Sequence, residues 1–383
     1  MAATTSSENG RPTIAVTSER RDRVARTTTF AALITSSAIA GLGLVWLAAP
    51  GLNPFASDLM RSVAADVLGA GGVAIAALGL GLVGAVLAAI LVARPRAVDR
   101  GGVALGAAAL AAALCLALGS VHIIALAGYL FGLAAVVAGI ITVSVIAVRA
   151  PRLGVPLFVL LVAVVAAAAS MGLTGAAVVE FGATFWGAMV KDAPNVGVSA
   201  AIVAAMLAWA TIMVIAVGGS AGGRRFEAWL VRHRRVLTVL AAAGPLPYAV
   251  ARASWLTPWP LFGPSGEEIP ATTLATGLML GSGAVAASLL TLGLILPWGL
   301  TLPRWMPRIG GRPVPTAAAV IPGSFAAAAL CVSAGSMFLL NTEGPVDALL
   351  LNLVLPLWFW GPMLALAVWA YAAWRRRLAA DAV

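Results

Sequence analysis

From Thr28 to Ala373 the chain is a succession of charge-poor apolar runs separated by short polar stretches. Each run holds about twenty residues or more, the length a helix rising 1.5 Å per residue needs to cross a hydrocarbon layer about 30 Å thick. Inside such a layer no water is at hand for backbone N–H and C=O groups, so each run must close its hydrogen bonds on itself. The predicted fold class is therefore all-α, a polytopic transmembrane helix bundle. The totals agree: of 383 residues, 61% are hydrophobic and only 10% charged, with a mean hydropathy of +1.01, far from a water-soluble globule.

About ten spans are predicted, near residues 28–49, 67–93, 102–120, 124–148, 156–177, 199–217, 236–254, 273–296, 316–340 and 348–373. The thinnest division lies between the third and fourth, where Gly119, Ser120, Val121 and His122 are the only turn material. The basic residues test the count. With the N-terminus in the cytoplasm, all of the 24 lysines and arginines except Arg61, Lys191 and Arg252 fall in inside loops or tails, as the positive-inside rule requires. Both termini are then cytoplasmic. The expected organisation is a disordered basic tail over 1–27, one bundle over 28–373 and a short tail over 374–383. With more apolar runs following the first, that run reads as an anchor rather than a cleaved signal. The net charge of +10 sits in short loops between spans, which excludes a nucleic-acid surface and points to the lipid bilayer as partner. The outer loops carry the acids Asp58, Asp66, Glu180, Asp192, Glu267, Glu268, Glu343 and Asp347.

One stretch departs from the apolar pattern. Between Gly244 and Pro264 the seventh span reads GPLPYAVARASWLTPWPLFGP. Pro245 and Pro247 fall near its middle, where each frees a backbone carbonyl four residues earlier that needs a partner in protein or a watered cavity. Further along, Tyr248, Arg252 and Trp255 follow at helical steps of four and three and share one face. They form a candidate wall of an outward-facing site for an anion or polar headgroup, with Glu180 or Glu267 as the expected counter-charge of Arg252. The structural alternative is an aromatic belt with one snorkelling arginine. Breaks are also predicted at Pro322 and at Pro356 and Pro362. Gly102 and Gly106 stand at the GxxxG spacing that favours close helix packing.

On the cytoplasmic side, RRFEAWLVRHRR (224–235) sets aromatic residues among arginines, like a short interfacial helix on anionic lipid. PRWMPRIGGRPVP (303–315) reads as a rigid basic turn whose Arg304, Arg308 and Arg312 can hold a lipid phosphate. GGSAGG (218–223) lacks the lysine of a phosphate loop and reads as a flexible hinge. Cys115 and Cys331 lie in apolar runs without neighbouring ligands, and His122 and His233 fall on opposite sides of the membrane, so no metal or cofactor site is predicted. No HExxH signature and no nucleotide-binding domain is found, and the chain reads as a non-enzyme.

The pair PLPYAVARASWLTPWPL and PRWMPRIGGRPVP resembles a family of multi-pass membrane proteins of high-GC bacteria, over the part of the chain from about Ala208 onward. The resemblance implies a bacterial plasma membrane and brings no activity with it. The leading functional expectation is a permease-like protein for a small solute or lipid headgroup. The alternatives are a noncatalytic scaffold or subunit with a membrane protein partner, and a transferase using a lipid-linked donor.

Overall fold

The computed structural model describes residues 11–57, 60–99, 101–170, 174–262, 269–306, 310–339 and 344–381. They form α1 (Arg11–Ala48), α2 (Val63–Ala93), α3 (Gly101–Leu118), α4 (His122–Arg149), α5 (Pro151–Ser170), α6 (Gly175–Lys191), α7 (Ala193–Gly219), α8 (Ala221–Ala243), α9 (Leu246–Ala253), α10 (Ala271–Leu292), α11 (Thr316–Met337), α12 (Pro345–Val354) and α13 (Leu357–Asp381). The fold is an all-α bundle. Among the described residues nine helical segments are long and apolar enough to cross a membrane, α8 with α9 and α12 with α13 each counting as one. The fifth expected span is α5, whose apolar part, Gly154–Ser170, is shorter. The first helix continues N-terminally past the expected boundary at residue 28 to Arg11, with Pro12 in its first turn, where a missing N–H costs nothing.

Two hydrophobic cores carry the bundle. The first packs α1, α2, α3 and α7 around Ile39, Val73, Leu114 and Trp209, and the second packs α8, α11 and α13 around Leu230, Leu330, Leu357 and Tyr371. α11 joins them, because Ala328, Ala329 and Val332 belong to the first core and Ala327 and Leu330 to the second. The buried indole of Trp209 donates to Ser36 Oγ at 3.0 Å. α10 packs against α4 and α9, and α5 packs on α4.

Small residues set the closest approaches, but not the predicted pair. A Cβ on Gly102 or Gly106 would meet nothing within 4 Å. The buried face of α3 is instead Ala107, Leu110, Ala111, Leu114 and Leu118. Close contact falls on Gly81, where a Cβ would lie 2.3 Å from Ala40 N, and on Gly119, where it would lie 2.2 Å from the Val332 carbonyl oxygen. GxxxG permits approach; which face meets a neighbour is decided by the other helices.

The prolines divide as well. Helix breaks occur at Gly244–Pro245 and at Leu355–Pro356, whereas α11 and α13 run through Pro322 and Pro362 unbroken. Gly323 lies beside Pro322 and is pressed against Val368 of α13, so packing between α11 and α13 holds the helix through the missing bond. GGSAGG is a capped corner rather than a hinge: Ser220 Oγ accepts from Gly223 N at 2.9 Å, and a Cβ on Gly223 would lie 1.7 Å from Val217 O. The 224–235 stretch is the first half of α8 rather than a separate surface helix. Phe226 meets Trp369 edge-on at 5.4 Å, and Glu227 accepts from Trp369 Nε1 at 3.1 Å and Arg376 at 2.6 Å.

Candidate functional site

At the arginine-poor end of the bundle, α8 stops at Ala243 and the chain resumes as α9 after Pro245. Pro245 is buried, and Pro247 lies in the first turn of α9, where proline is tolerated. Two carbonyls at the break find protein donors: Gly244 N donates to Ala241 O at 3.3 Å, and Ser288 Oγ of α10 donates to Ala242 O at 2.7 Å. The side of Gly244 is filled by Trp360, whose Cγ would be 2.6 Å from a Cβ there. The break is closed by packing, not by a watered cavity.

The cavity lies further along. About 270 Å³ in volume, it is lined by Tyr129 of α4, Arg252, Trp255 and the α10 residues Thr272, Thr273 and Thr276. The predicted common face of α9 is present: the Arg252 guanidinium carbon lies 4.8 Å from the Tyr248 ring centroid and 4.2 Å from that of Trp255. Both are cation–π distances. Trp255 is buried, and its indole N–H donates to Leu261 O at 3.0 Å, while Ser254 Oγ accepts from Leu261 N at 2.8 Å. These bonds fold the chain after α9 back on itself. Trp259, 78% exposed, has the exposure expected of a belt residue, so the belt and the cavity wall are separate tryptophans.

Two glycines of α10 make room for the arginine and its indole. A Cβ on Gly277 would lie 2.5 Å from Trp255 Cζ3, and one on Gly281 would lie 2.8 Å from Arg252 Cβ. This pair has the GxxxG spacing that was sought at Gly102 and Gly106, and sequence reasoning passed over it. The first turn of α10 also faces the cavity through Thr272 and Thr273. The N–H groups there lack intrahelical acceptors, so the positive end of the helix dipole adds to the guanidinium.

Of the two expected counter-charges only Glu180 is described, and it is not paired with Arg252. Glu180 is exposed on α6, and among the described residues no carboxylate forms an ion pair with Arg252. Glu267 lies outside the described residues. Asp66 is taken by Arg61 at 2.8 Å. Arg252 Nε is buried without a hydrogen-bond partner. α6 does reach this region through Phe185, whose ring centroid is 5.4 Å from that of Tyr129.

At the arginine-rich end the 303–315 segment belongs to a tight hairpin. Leu302 N donates to Arg312 O at 2.9 Å and Gly311 N to Leu302 O at 2.8 Å, with Gly311 at φ +78°, a conformation glycine adopts without strain. Arg304 and Arg312 are exposed there; Arg308 lies outside the described residues.

A second polar constellation was not foreseen. His122 opens α4 and Asp192 precedes α7; the His122 Nε2 pairs with Asp192 Oδ2, and the His122 Nδ1 lies 3.1 Å from Ser199 Oγ. Asn195 Nδ2 donates to Asp192 Oδ1 at 2.6 Å. The order carboxylate, imidazole, hydroxyl is that of an acyl-transfer triad, but Ser199 is 3% exposed and is covered by Met60 Sδ at 3.6 Å. A hydroxyl so sealed does not meet a substrate carbonyl. Seventy residues separate His122 from Asp192, so no local motif marks the pair.

Comparison with family models, with curated proteins and with solved structures found no match.

Proposed function

We propose that this integral membrane protein recognises an oxyanion, either free in solution or carried by a lipid headgroup, in the Arg252 cavity, and that it handles this ligand as a permease-like protein of a bacterial plasma membrane. The supporting observation is the buried Arg252 Nε, which has no hydrogen-bond partner among the described residues, beside a cavity whose described polar lining is threonine and tyrosine. A half-buried guanidinium that no described carboxylate pairs leaves a charge incompletely compensated, and an entering anion compensates it through charge-assisted hydrogen bonds. The rings of Tyr248 and Trp255 hold the side chain in place meanwhile. A transferase acting through convergent carboxylates finds no support among the cavity's described residues.

The closed break at Gly244–Pro245 favours a second reading, a binding subunit or scaffold that does not transport, because Trp360 fills the mid-span position a pathway would use. Sulfate and phosphate binding to the purified protein in nanodiscs, followed by calorimetry, tests the shared part of both readings. Arg252→Ala is expected to abolish binding and Arg252→Lys to weaken it about tenfold, since lysine keeps the charge but loses the planar fork. Equal binding by both variants and wild type, at normal membrane abundance, rejects the site. Retention of anionic over zwitterionic lipid by the wild type alone identifies a headgroup as ligand; binding of free anion without lipid preference identifies a solute. Anion uptake into proteoliposomes separates permease from scaffold.

A further inference from the structure

A histidine and an aspartate paired at the ends of α4 and α7, with side chains only 11% and 24% exposed, need a reason, since burying ionisable groups is costly. The hydrogens around His122 can be placed one by one. The Asp192 carboxylate only accepts, so the imidazole Nε2 carries a hydrogen toward it. Ser199 has a single hydroxyl hydrogen and two neighbours, His122 Nδ1 at 3.1 Å and Met60 Sδ at 3.6 Å. Thioether sulfur has no hydrogen to give. Both Ser199 contacts are hydrogen bonds only when Nδ1 is also protonated, with Nδ1–H donating to Ser199 and Ser199 donating to Met60. When Nδ1 is bare, the Ser199 hydrogen turns to it and the sulfur contact loses its donor. Arrival of one proton thus reverses the Ser199 hydroxyl and adds one unit of positive charge. The site has an edge to water, with side-chain exposures of 11% for His122 and 24% for Asp192.

From these contacts we infer that the Asp192–His122–Ser199 chain is a proton-binding site whose occupancy strengthens anion binding in the Arg252 cavity. This rests on the anion reading of that cavity. α4 connects the two: His122 is its first residue, and Tyr129, two turns on, lines the cavity. His122 and Tyr129 lie about 10 Å apart along the helix axis, and over such a distance, at an effective dielectric near 20, one added charge changes the affinity for an anion about tenfold per unit of the anion's charge. The charged and titratable groups around His122 are few. Asp192 faces it directly; the neighbouring elements carry Tyr129 and Arg149 on α4 itself, Lys191 and Glu180 on α6, the Arg61–Asp66 pair in the segment of Met60, Cys115 on α3 and Cys331 on α11. α10 carries no ionisable side chain, and α5 brings only Arg152, near its start. Of these side-chain types, only histidine ordinarily changes charge between pH 5 and 8. The chain's other histidine, His233, is on α8 with its ring against Trp229.

Sulfate is the probe, because its own charge is constant over this range. Calorimetry on the wild-type protein in nanodiscs, at a pH of about 5.5 and again at about 8, is expected to show about a hundredfold tighter binding of doubly charged sulfate at the lower value. His122→Gln, or His122→Asn if that variant does not fold, is expected to bind sulfate equally at both, and His233→Gln to keep the wild-type difference. A pH-independent wild type, or a His122 variant that keeps the difference, overturns the proton site while leaving the anion site standing. No sulfate binding by the wild type at either pH overturns the anion site and the coupling together.

Discussion

At the residue scale, the arginine-poor end separates two tryptophans that look alike in the sequence. Trp255 is buried, 4.2 Å from the Arg252 guanidinium carbon, and ties the following turn through its indole N–H, while Trp259 is exposed. Trp255→Leu removes a stacking partner that contributes about 0.5–2 kcal/mol to holding the half-buried guanidinium, so sulfate affinity is expected to fall several-fold in calorimetry. Trp259→Leu is expected to leave it unchanged. Equal effects of the two substitutions would return Arg252 to the snorkelling reading. The sharing of one face by Tyr248, Arg252 and Trp255 was legible from helical spacing alone. That no described carboxylate pairs with Arg252 was not, because it depends on where α6 lies in space.

At the scale of elements, glycines separate packing from pattern. Gly277 and Gly106 both belong to GxxxG pairs, yet a Cβ would be 2.5 Å from the Trp255 ring at Gly277 and would meet nothing within 4 Å at Gly106. Gly277→Ala is expected to destabilise by about 1–3 kcal/mol through overpacking and to cost sulfate binding by displacing Trp255. Gly106→Ala, in open space within a helix, is expected to stabilise by about 0.5–1 kcal/mol. Unfolding in detergent with a denaturant series measures both, and a destabilised Gly106→Ala would mean that α3 packs against a partner on that face. Prolines teach the same lesson. Pro245 and Pro356 mark breaks while Pro322 and Pro362 do not, because neighbouring helices decide whether a missing bond bends the chain.

For the whole molecule, α5 decides which side each loop occupies. Its apolar part is shorter than those of the nine long spans, and only if it crosses do the arginine-rich loops share one side. Cysteines placed at Arg149, near the end of α4, and at Glu180, on α6, are expected to react with an impermeant maleimide from opposite faces of the membrane. Cys115 and Cys331, half-buried within spans, give little background, and replacing both removes it. Labelling from the same face would make α5 a surface helix and place the termini on opposite sides.

The succession of apolar runs by itself determined the class of fold and most span positions, because a hydrocarbon solvent leaves a twenty-residue run no other way to satisfy its backbone. The turn at Gly119 to Val121 and the break at Pro245 were also legible, since glycine and proline act locally. Only the tertiary structure decided which glycines touch, that the break is filled by Trp360, that Arg252 shares a cavity with the threonines of α10, and that His122 finds Asp192 and Ser199. These are contacts between residues far apart in sequence, and almost every face of these helices is equally apolar, so hydrophobic periodicity carries no sign of which face turns inward.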